Sequence, residues 1–192
     1  MKIAMIGAGS HVFARRLIAD ILSFPSLEDA EIALMDLDPE RLKTMKALAD
    51  RMVQQERKPA RVTATTSLET AVAGANYVTV SIRASDSRAH IDIPHKYGIN
   101  QAVGDTSGPG GVFYYLLNVQ AVVDVARAME RLCPDALMLN YTNPMVMLSW
   151  TVTDLTGIRY VGLCHSVQGT AMTLCKYIGV PFDEVSYWAA GI

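Results

Sequence analysis

The chain has 192 residues with 51% hydrophobic side chains, enough to fill a sizeable core, which excludes a disordered polymer and suits one generous domain or one domain and the start of a second. Its 17 Lys+Arg against 19 Asp+Glu leave a net charge of −2, with no basic footprint for nucleic acid. No apolar run reaches the about 18 residues of a membrane span; the richest, Leu116 to Met129, is interrupted by Asn118, Gln120 and Asp124.

Elements alternate along the chain. Lys2 to Ile6 is a short apolar run ending at Gly7 and predicts a buried strand. Val12, Phe13, Leu17, Ile18, Ile21 and Leu22 recur at helical spacing, and Pro25 closes that helix. Glu31 to Met35 predicts a second strand, ending at Asp36. Asp38 is the expected N-cap of a charged helix from Pro39 to about Arg57, Pro39 standing where a missing N–H does no harm. Arg61 to Thr65 is a polar third strand, and Ser67 caps a short helix over Leu68 to Ala73. Tyr77 to Ile82 is a fourth strand. A helix over about Arg88 to Tyr97 precedes a glycine-dense loop holding Gly104, Gly108, Pro109, Gly110 and Gly111, and Tyr114 to Leu132 is a long helix. Then follow a strand over Ala136 to Tyr141, a turn at Asn143-Pro144 and a helix over Met145 to Leu155. A strand at Tyr160 to Leu163, a helix at Val167 to Ile178 and the start of a further strand at Glu184 to Ala190 complete the series.

Strands alternating with helices predict an α/β fold, a Rossmann-like, doubly wound, mostly parallel sheet with helices on both faces. Such sheets bind ligands outside the carboxyl ends of their strands, here Gly7, Asp36, Ile82, Tyr141 and Leu163. The first of these ends carries Gly7-Ala8-Gly9-Ser10 between strand and helix. Gly7 permits the tight turn and Gly9 lets a pyrophosphate approach the backbone, while Ser10 opens the helix whose N–H groups and dipole receive it. The third glycine of G-x-G-x-x-G is replaced by Val12. Asp36, 27 positions after Gly9, stands where a carboxylate accepts the adenosine ribose hydroxyls and repels a 2′-phosphate, which favours NAD over NADP. The alternative is a plain turn with a helix-capping acid.

A second cluster follows later strands. In Asn140-Tyr141-Thr142-Asn143-Pro144, Asn143 offers a donor and an acceptor to the cleft, or forms an Asx turn. In Gly162-Leu163-Cys164-His165-Ser166, Cys164 near a helix start is a thiolate nucleophile, a metal ligand or buried packing. Neighbouring side chains diverge, so Cys164 and His165 do not both bind one ion. Cys133, Cys175, Trp150, Trp188 and most of the ten Met are expected in the core; His11, His90 and His95 are expected in solvent. An odd cysteine count without CxxC spacing argues against a disulfide framework. The MKIAMIG start has no signal-peptide regions, so a soluble cytoplasmic protein is the expectation.

Taken together, Gly7-Ala8-Gly9-Ser10, Leu34 to Asp38, Pro94 to Gly98, Gly104 to Gly111, Asn140 to Pro144 and Gly162 to Gly169 resemble glycoside hydrolase family 4, its α-galactosidase, α-glucosidase and α-galacturonidase members above all. The resemblance covers essentially the whole chain. It implies hydrolysis of α-glycosides, an α-galactoside foremost, by an NAD-dependent route exceptional among glycosidases. NAD⁺ takes a hydride from C3 of the sugar, a base removes the acidified C2 proton, the C1–O bond breaks by elimination, water adds and the hydride returns. Mn²⁺ or another divalent cation polarises the C3 oxygen.

By the same resemblance Cys164 is the metal-binding cysteine and Asn143 contacts the sugar. His165 protonates the leaving group, for which an imidazole is suited, while Asp105 and Arg88 face the substrate. The implied domains are residues 1–165, binding NAD, and 166–192, the beginning of a second, α+β substrate and metal domain. A small-molecule sugar is the implied partner, with no nucleic acid and no membrane, and a homo-oligomer is the implied assembly. The family's second metal ligand is a His in a Gly-Ile-Asn-His stretch, of which Gly191-Ile192 would be the first two residues, and its tyrosine base lies beyond. The isolated chain is therefore expected to bind cofactor and to hydrolyse weakly or not at all. The Asn143-Pro144 turn is shared with lactate and malate dehydrogenases, so a 2-hydroxy acid dehydrogenase is the alternative, a non-catalytic NAD-binding module the third possibility.

Overall fold

Successive side chains of β1 (Lys2–Ile6) alternate between two apolar layers: Ile3 and Met5 enter one, Ala4 and Ile6 the other. A strand apolar on both faces requires cover on both. The computed structural model, which describes residues 1–85, 87–101 and 104–190, provides it with helices on the two sides of a six-stranded sheet. After β1 come α1 (Phe13–Ser23), β2 (Glu31–Met35), α2 (Pro39–Gln55), β3 (Arg61–Thr65), α3 (Leu68–Val72) and β4 (Tyr77–Val80). The chain continues through α4 (Ala89–Lys96), α5 (Gly108–Leu132), β5 (Leu137–Asn140), α6 (Met145–Leu155), β6 (Arg159–Gly162) and α7 (Ser166–Ile178).

Strand order is β3-β2-β1-β4-β5-β6, every pairing parallel, so the winding reverses between β1 and β4. A reversal of this kind opens a crevice at the carboxyl ends of the two strands, and the sequence-predicted α/β Rossmann-like sheet is the one observed. On one face Ile18 and Leu22 of α1 and Leu42 and Met45 of α2 close over Ile32 and Leu34. On the other Val72 of α3, Val122 and Met129 of α5 and Leu148 of α6 close over Val78, Val80 and Met138. Local chemistry sets the helix starts: Asp38 Oδ1 accepts from the amides of Glu40 and Arg41 at 3.0 and 3.1 Å, and Ser67 Oγ accepts from the Thr70 amide at 3.2 Å.

The chain divides into two compact units, residues 1–162 with the whole sheet and a second from Leu163 onward. The second holds α7, ended by Gly179 in the left-handed region at φ 74°, and a 3₁₀ turn at Phe182–Glu184. The strand expected at Glu184 to Ala190 is not formed: past the 3₁₀ turn these residues take no regular structure. Gly191-Ile192 lie outside the described residues.

Other expectations also change. Gly108 to Gly111 form the first turn of α5 instead of a loop, because Pro109 fits that turn and Gln101 Oε1 accepts from the Gly110 amide at 2.6 Å. His90, expected in solvent, is buried, its ring 4.8 Å from that of Tyr114. Trp150 and Trp188, expected in the core, are 72% and 87% exposed, on the outer side of α6 and beyond the last turn. Met5, Met35, Met45, Met129 and Met138 are core residues, as are Cys133 and Cys175. No helix among the described residues is long and apolar enough to cross a membrane.

Candidate functional site

Gly7 leaves β1 with φ 84°, a conformation L side chains rarely adopt. Its Cα also lies against the next strand, so that a Cβ would sit 2.2 Å from the Ser81 carbonyl oxygen. The amides of Gly7 and Ala8 both donate to the Met35 carbonyl, at 3.0 and 2.9 Å. The Gly9 amide donates to Asp36 Oδ2 at 2.7 Å, and the other carboxylate oxygen accepts from the Asp38 amide at 3.0 Å. Ser10 lies just ahead of α1, its Oγ accepting from the Phe13 amide and its carbonyl from Ala14.

Gly7, Gly9, Ser10 and Asp36 are thus brought together in one latched loop. The two amides that follow, those of His11 and Val12, carry no hydrogen bond among the described residues, and the first turn of α1 holds no acidic side chain. Open N–H groups at the positive end of an 11-residue helix are what an anionic phosphate needs. These donors were not legible in the sequence, which pointed to Gly9, because the Gly9 amide is already taken by Asp36. Val12, standing where the third glycine is absent, is 57% exposed, so its side chain does not separate α1 from the sheet. Asp36 keeps lone pairs beyond its two loop bonds, enough to accept ribose hydroxyls.

Past β5 the chain turns on its own side chains. Asn140, fully buried, donates to the Thr142 carbonyl and accepts from the Thr142 amide, both at 3.0 Å, and the Asn143–Pro144 peptide is cis. Asn143 Nδ2 donates to Asp105 Oδ2 at 3.2 Å, and Thr106 Oγ1 donates to Asp105 Oδ1 at 3.0 Å. Two residues 38 positions apart, both expected at the substrate, therefore meet. Tyr141 packs its ring 5.8 Å from that of Phe13, which joins this turn to the start of α1. Burial, with help from the Asp20 carboxylate, pushes the Tyr141 phenol pKa up. Arg88 stands at the head of α4, exposed, its Nε 3.6 Å from Asp92 Oδ1.

In the second unit, Cys164 is exposed immediately before α7. Its thiol donates to Ser166 Oγ at 3.3 Å and accepts from the Ser166 amide at 3.5 Å. Hydrogen bonding with Ser166 holds the Cys164 pKa below the ordinary thiol value, outweighing partial desolvation. His165 is the exposed N-cap residue of α7. Among the described residues no three His, Cys, Asp or Glu side chains form a group that could hold a metal ion. Cys164 is the single sulfur donor the sequence singled out that reaches solvent.

Residues 2–180 match the sequence model of the family described as family 4 glycosyl hydrolase. The chain belongs to this family. An α-galactosidase of Rhizobium meliloti is 40% identical over 195 residues, covering all of this chain and 40% of that protein. An α-galactosidase of Bacillus subtilis is 35% identical over 195 residues, again covering the whole chain and 45% of the relative. Among solved structures, the 6-phospho-β-glucosidase of Thermotoga maritima, determined with manganese, NAD⁺ and glucose-6-phosphate, superimposes with a TM-score of 0.82 at 26% identity over 97% of this chain and 46% of that one. The chain spans less than half the length of these relatives.

Proposed function

We propose that this family 4 chain is the cofactor-binding part of an NAD- and divalent-metal-dependent α-glycosidase, with an α-galactoside as substrate. The observation that carries this is the family match over residues 2–180, on a sheet whose switch-point end presents a latched Gly7–Ser10 loop, the Asp36 carboxylate and two open amides. The α-galactosidases at 40% and 35% identity support the choice of sugar. Family membership favours a glycosidase over a 2-hydroxy acid dehydrogenase. Residues 1–165 form the NAD-binding domain, and 166–192 begin the substrate and metal domain; a homo-oligomer in the cytoplasm completes the proposal.

Bound NAD⁺ supplies reversible hydride acceptance, and a divalent cation supplies polarisation of a sugar oxygen. The chain's own residues bind and orient. The His11 and Val12 amides and the α1 dipole receive the pyrophosphate, and Asp36 accepts the adenosine ribose hydroxyls while its charge disfavours a 2′-phosphate. Asn143 keeps its amide oxygen for a sugar hydroxyl, because Asp105 engages its Nδ2 and fixes which end faces the cleft. Cys164, with its lowered pKa, offers one thiolate donor to the cation. His165 donates a proton to the departing glycosidic oxygen, and Arg88 contributes a cation toward the sugar.

Hydrolysis of p-nitrophenyl α-galactoside, α-glucoside and α-galacturonide, each with and without NAD⁺ and Mn²⁺, tests the proposal. Any activity, weak in this chain, should require both additions and be greatest on the galactoside. Turnover that ignores both would sink the idea. Cys164→Ser should weaken Mn²⁺ binding and leave NAD⁺ binding intact.

A further inference from the structure

We propose that Thr142 and Asn118 are positioning residues for the nicotinamide half of the bound dinucleotide, acting through the backbone of residues 81–84. The inference rests on the NAD proposal above. The ladder of β4 ends where the Ser81 amide donates to the Ile6 carbonyl at 2.9 Å. Beyond it the chain runs free of the sheet along the crevice, so close to the glycine loop that the Ser81 carbonyl blocks any side chain at Gly7.

Two amides of this stretch are then taken by buried side chains from separate elements. Thr142 Oγ1 accepts from Ile82 at 3.0 Å, and Asn118 Oδ1 accepts from Ala84 at 2.9 Å. Thr142 is itself fixed by its paired bonds to Asn140. Asn118 is fully buried within α5 and its Nδ2 returns to the Tyr114 carbonyl of the same helix, so its one bond to another element goes to Ala84. Burying an amide among apolar side chains costs desolvation that a leucine would not. Here the cost secures a single backbone position at the mouth of the site.

That position has a defined side. Asp36, at the end of β2, takes the adenosine ribose, so the second mononucleotide half lies across the reversal, at the carboxyl end of β4. Residues 81–84 are the wall it meets. Held at two amides by Thr142 and Asn118, the wall is shaped before the ligand arrives, and the ordering cost is removed from binding.

Calorimetric titration of the 192-residue chain with NAD⁺ and with ADP, which lacks the nicotinamide half, separates the possibilities. Thr142→Val and Asn118→Leu should each lower NAD⁺ affinity about tenfold and leave ADP affinity unchanged, whereas Thr142→Ser, which keeps the acceptor, should bind NAD⁺ within about twofold of the parent. Unchanged ADP affinity guards against misfolding of either variant, since a chain that failed to fold would lose the adenosine half of the site as well. Retained NAD⁺ affinity in Thr142→Val and Asn118→Leu, equal loss of ADP and NAD⁺, or a Thr142→Ser variant as weak as Thr142→Val would overturn the positioning role and leave the NAD proposal standing. A parent chain that binds neither ligand would overturn both.

Discussion

Replacing Gly7 by alanine should disrupt the join between β1 and β4, and a second glycine provides the control. At Gly7 an alanine meets two penalties. The backbone at φ 84° costs a residue with a Cβ about 1–2 kcal/mol. The new Cβ would also stand 2.2 Å from the Ser81 carbonyl oxygen, 2.8 Å from its carbon and 2.9 Å from Ile82 Cγ2. Relief requires backbone movement, which loosens the bonds from Ser81 to Ile6 and from Gly7 to Met35, each worth about 1 kcal/mol net. The sum is about 3–4 kcal/mol, a melting-temperature drop of roughly 6–16 °C for a chain of this size. Gly74 shares the left-handed conformation, at φ 67°, but a Cβ there meets nothing within 4 Å. Gly74→Ala should therefore cost about 1–2 kcal/mol, the backbone penalty alone. Thermal unfolding followed by far-ultraviolet circular dichroism compares the two. If Gly7→Ala melts no lower than Gly74→Ala, the close approach of β1 and β4 described above is wrong.

Other perturbations probe the remaining parts. Asp36→Ala removes the partners of the Gly9 and Asp38 amides and should weaken NAD⁺ binding at least about tenfold by calorimetry; an unchanged affinity would refute the role of that carboxylate. Cys164, exposed and with a pKa lowered by Ser166, should be the first cysteine alkylated by iodoacetamide, ahead of buried Cys133, whose pKa burial raises. Because the thiolate reacts, the Cys164 rate should rise with pH and level off below the range of an ordinary thiol, and peptide mapping that finds Cys133 or Cys175 modified first would contradict this. Asp38→Ala, which deprives Glu40 and Arg41 of their acceptor, should cost about 1 kcal/mol of stability and lower the melting temperature by about 2–4 °C.

The sheet was legible because its signals are local. Alternation of strand and helix, Pro25 and Pro39 at helix boundaries and Asp38 and Ser67 as caps are each decided within a few residues, and the helices begin and end close to where these signals place them. The places of the Gly7–Ser10 turn after β1 and of Asp36 after β2 were legible for the same reason, each following directly on a short apolar run. What escaped depends on partners distant in sequence. His90 reads as a surface residue of a short polar helix, and it is the close approach of Gly104 and of α5, with Gly110 and the Tyr114 ring, that makes its position interior. Trp150 looks like core by composition, yet Leu148 and Val152 take the buried face of α6 and turn it outward. The bond between Asn143 and Asp105 joins segments that no periodicity connects. Likewise the sequence shows Asn118 only as an interruption in an apolar helix; its reason is the Ala84 amide, 34 positions earlier.

The hydrogen bond from Gly9 to Asp36 bears on any attempt to re-engineer the cofactor choice of this chain. The usual route from NAD to NADP replaces the acidic residue after the second strand with a neutral one and adds a cation nearby. Here that acid also latches the glycine loop, so the exchange would release the Gly9 amide from its 2.7 Å bond at the moment the new ligand needs the loop in place. Selectivity and loop shape are inherited as one trait. A variant library that alters Asp36 should therefore carry compensating changes at the loop, and a neutral residue that still accepts from Gly9, such as serine or asparagine, is the first substitution to try.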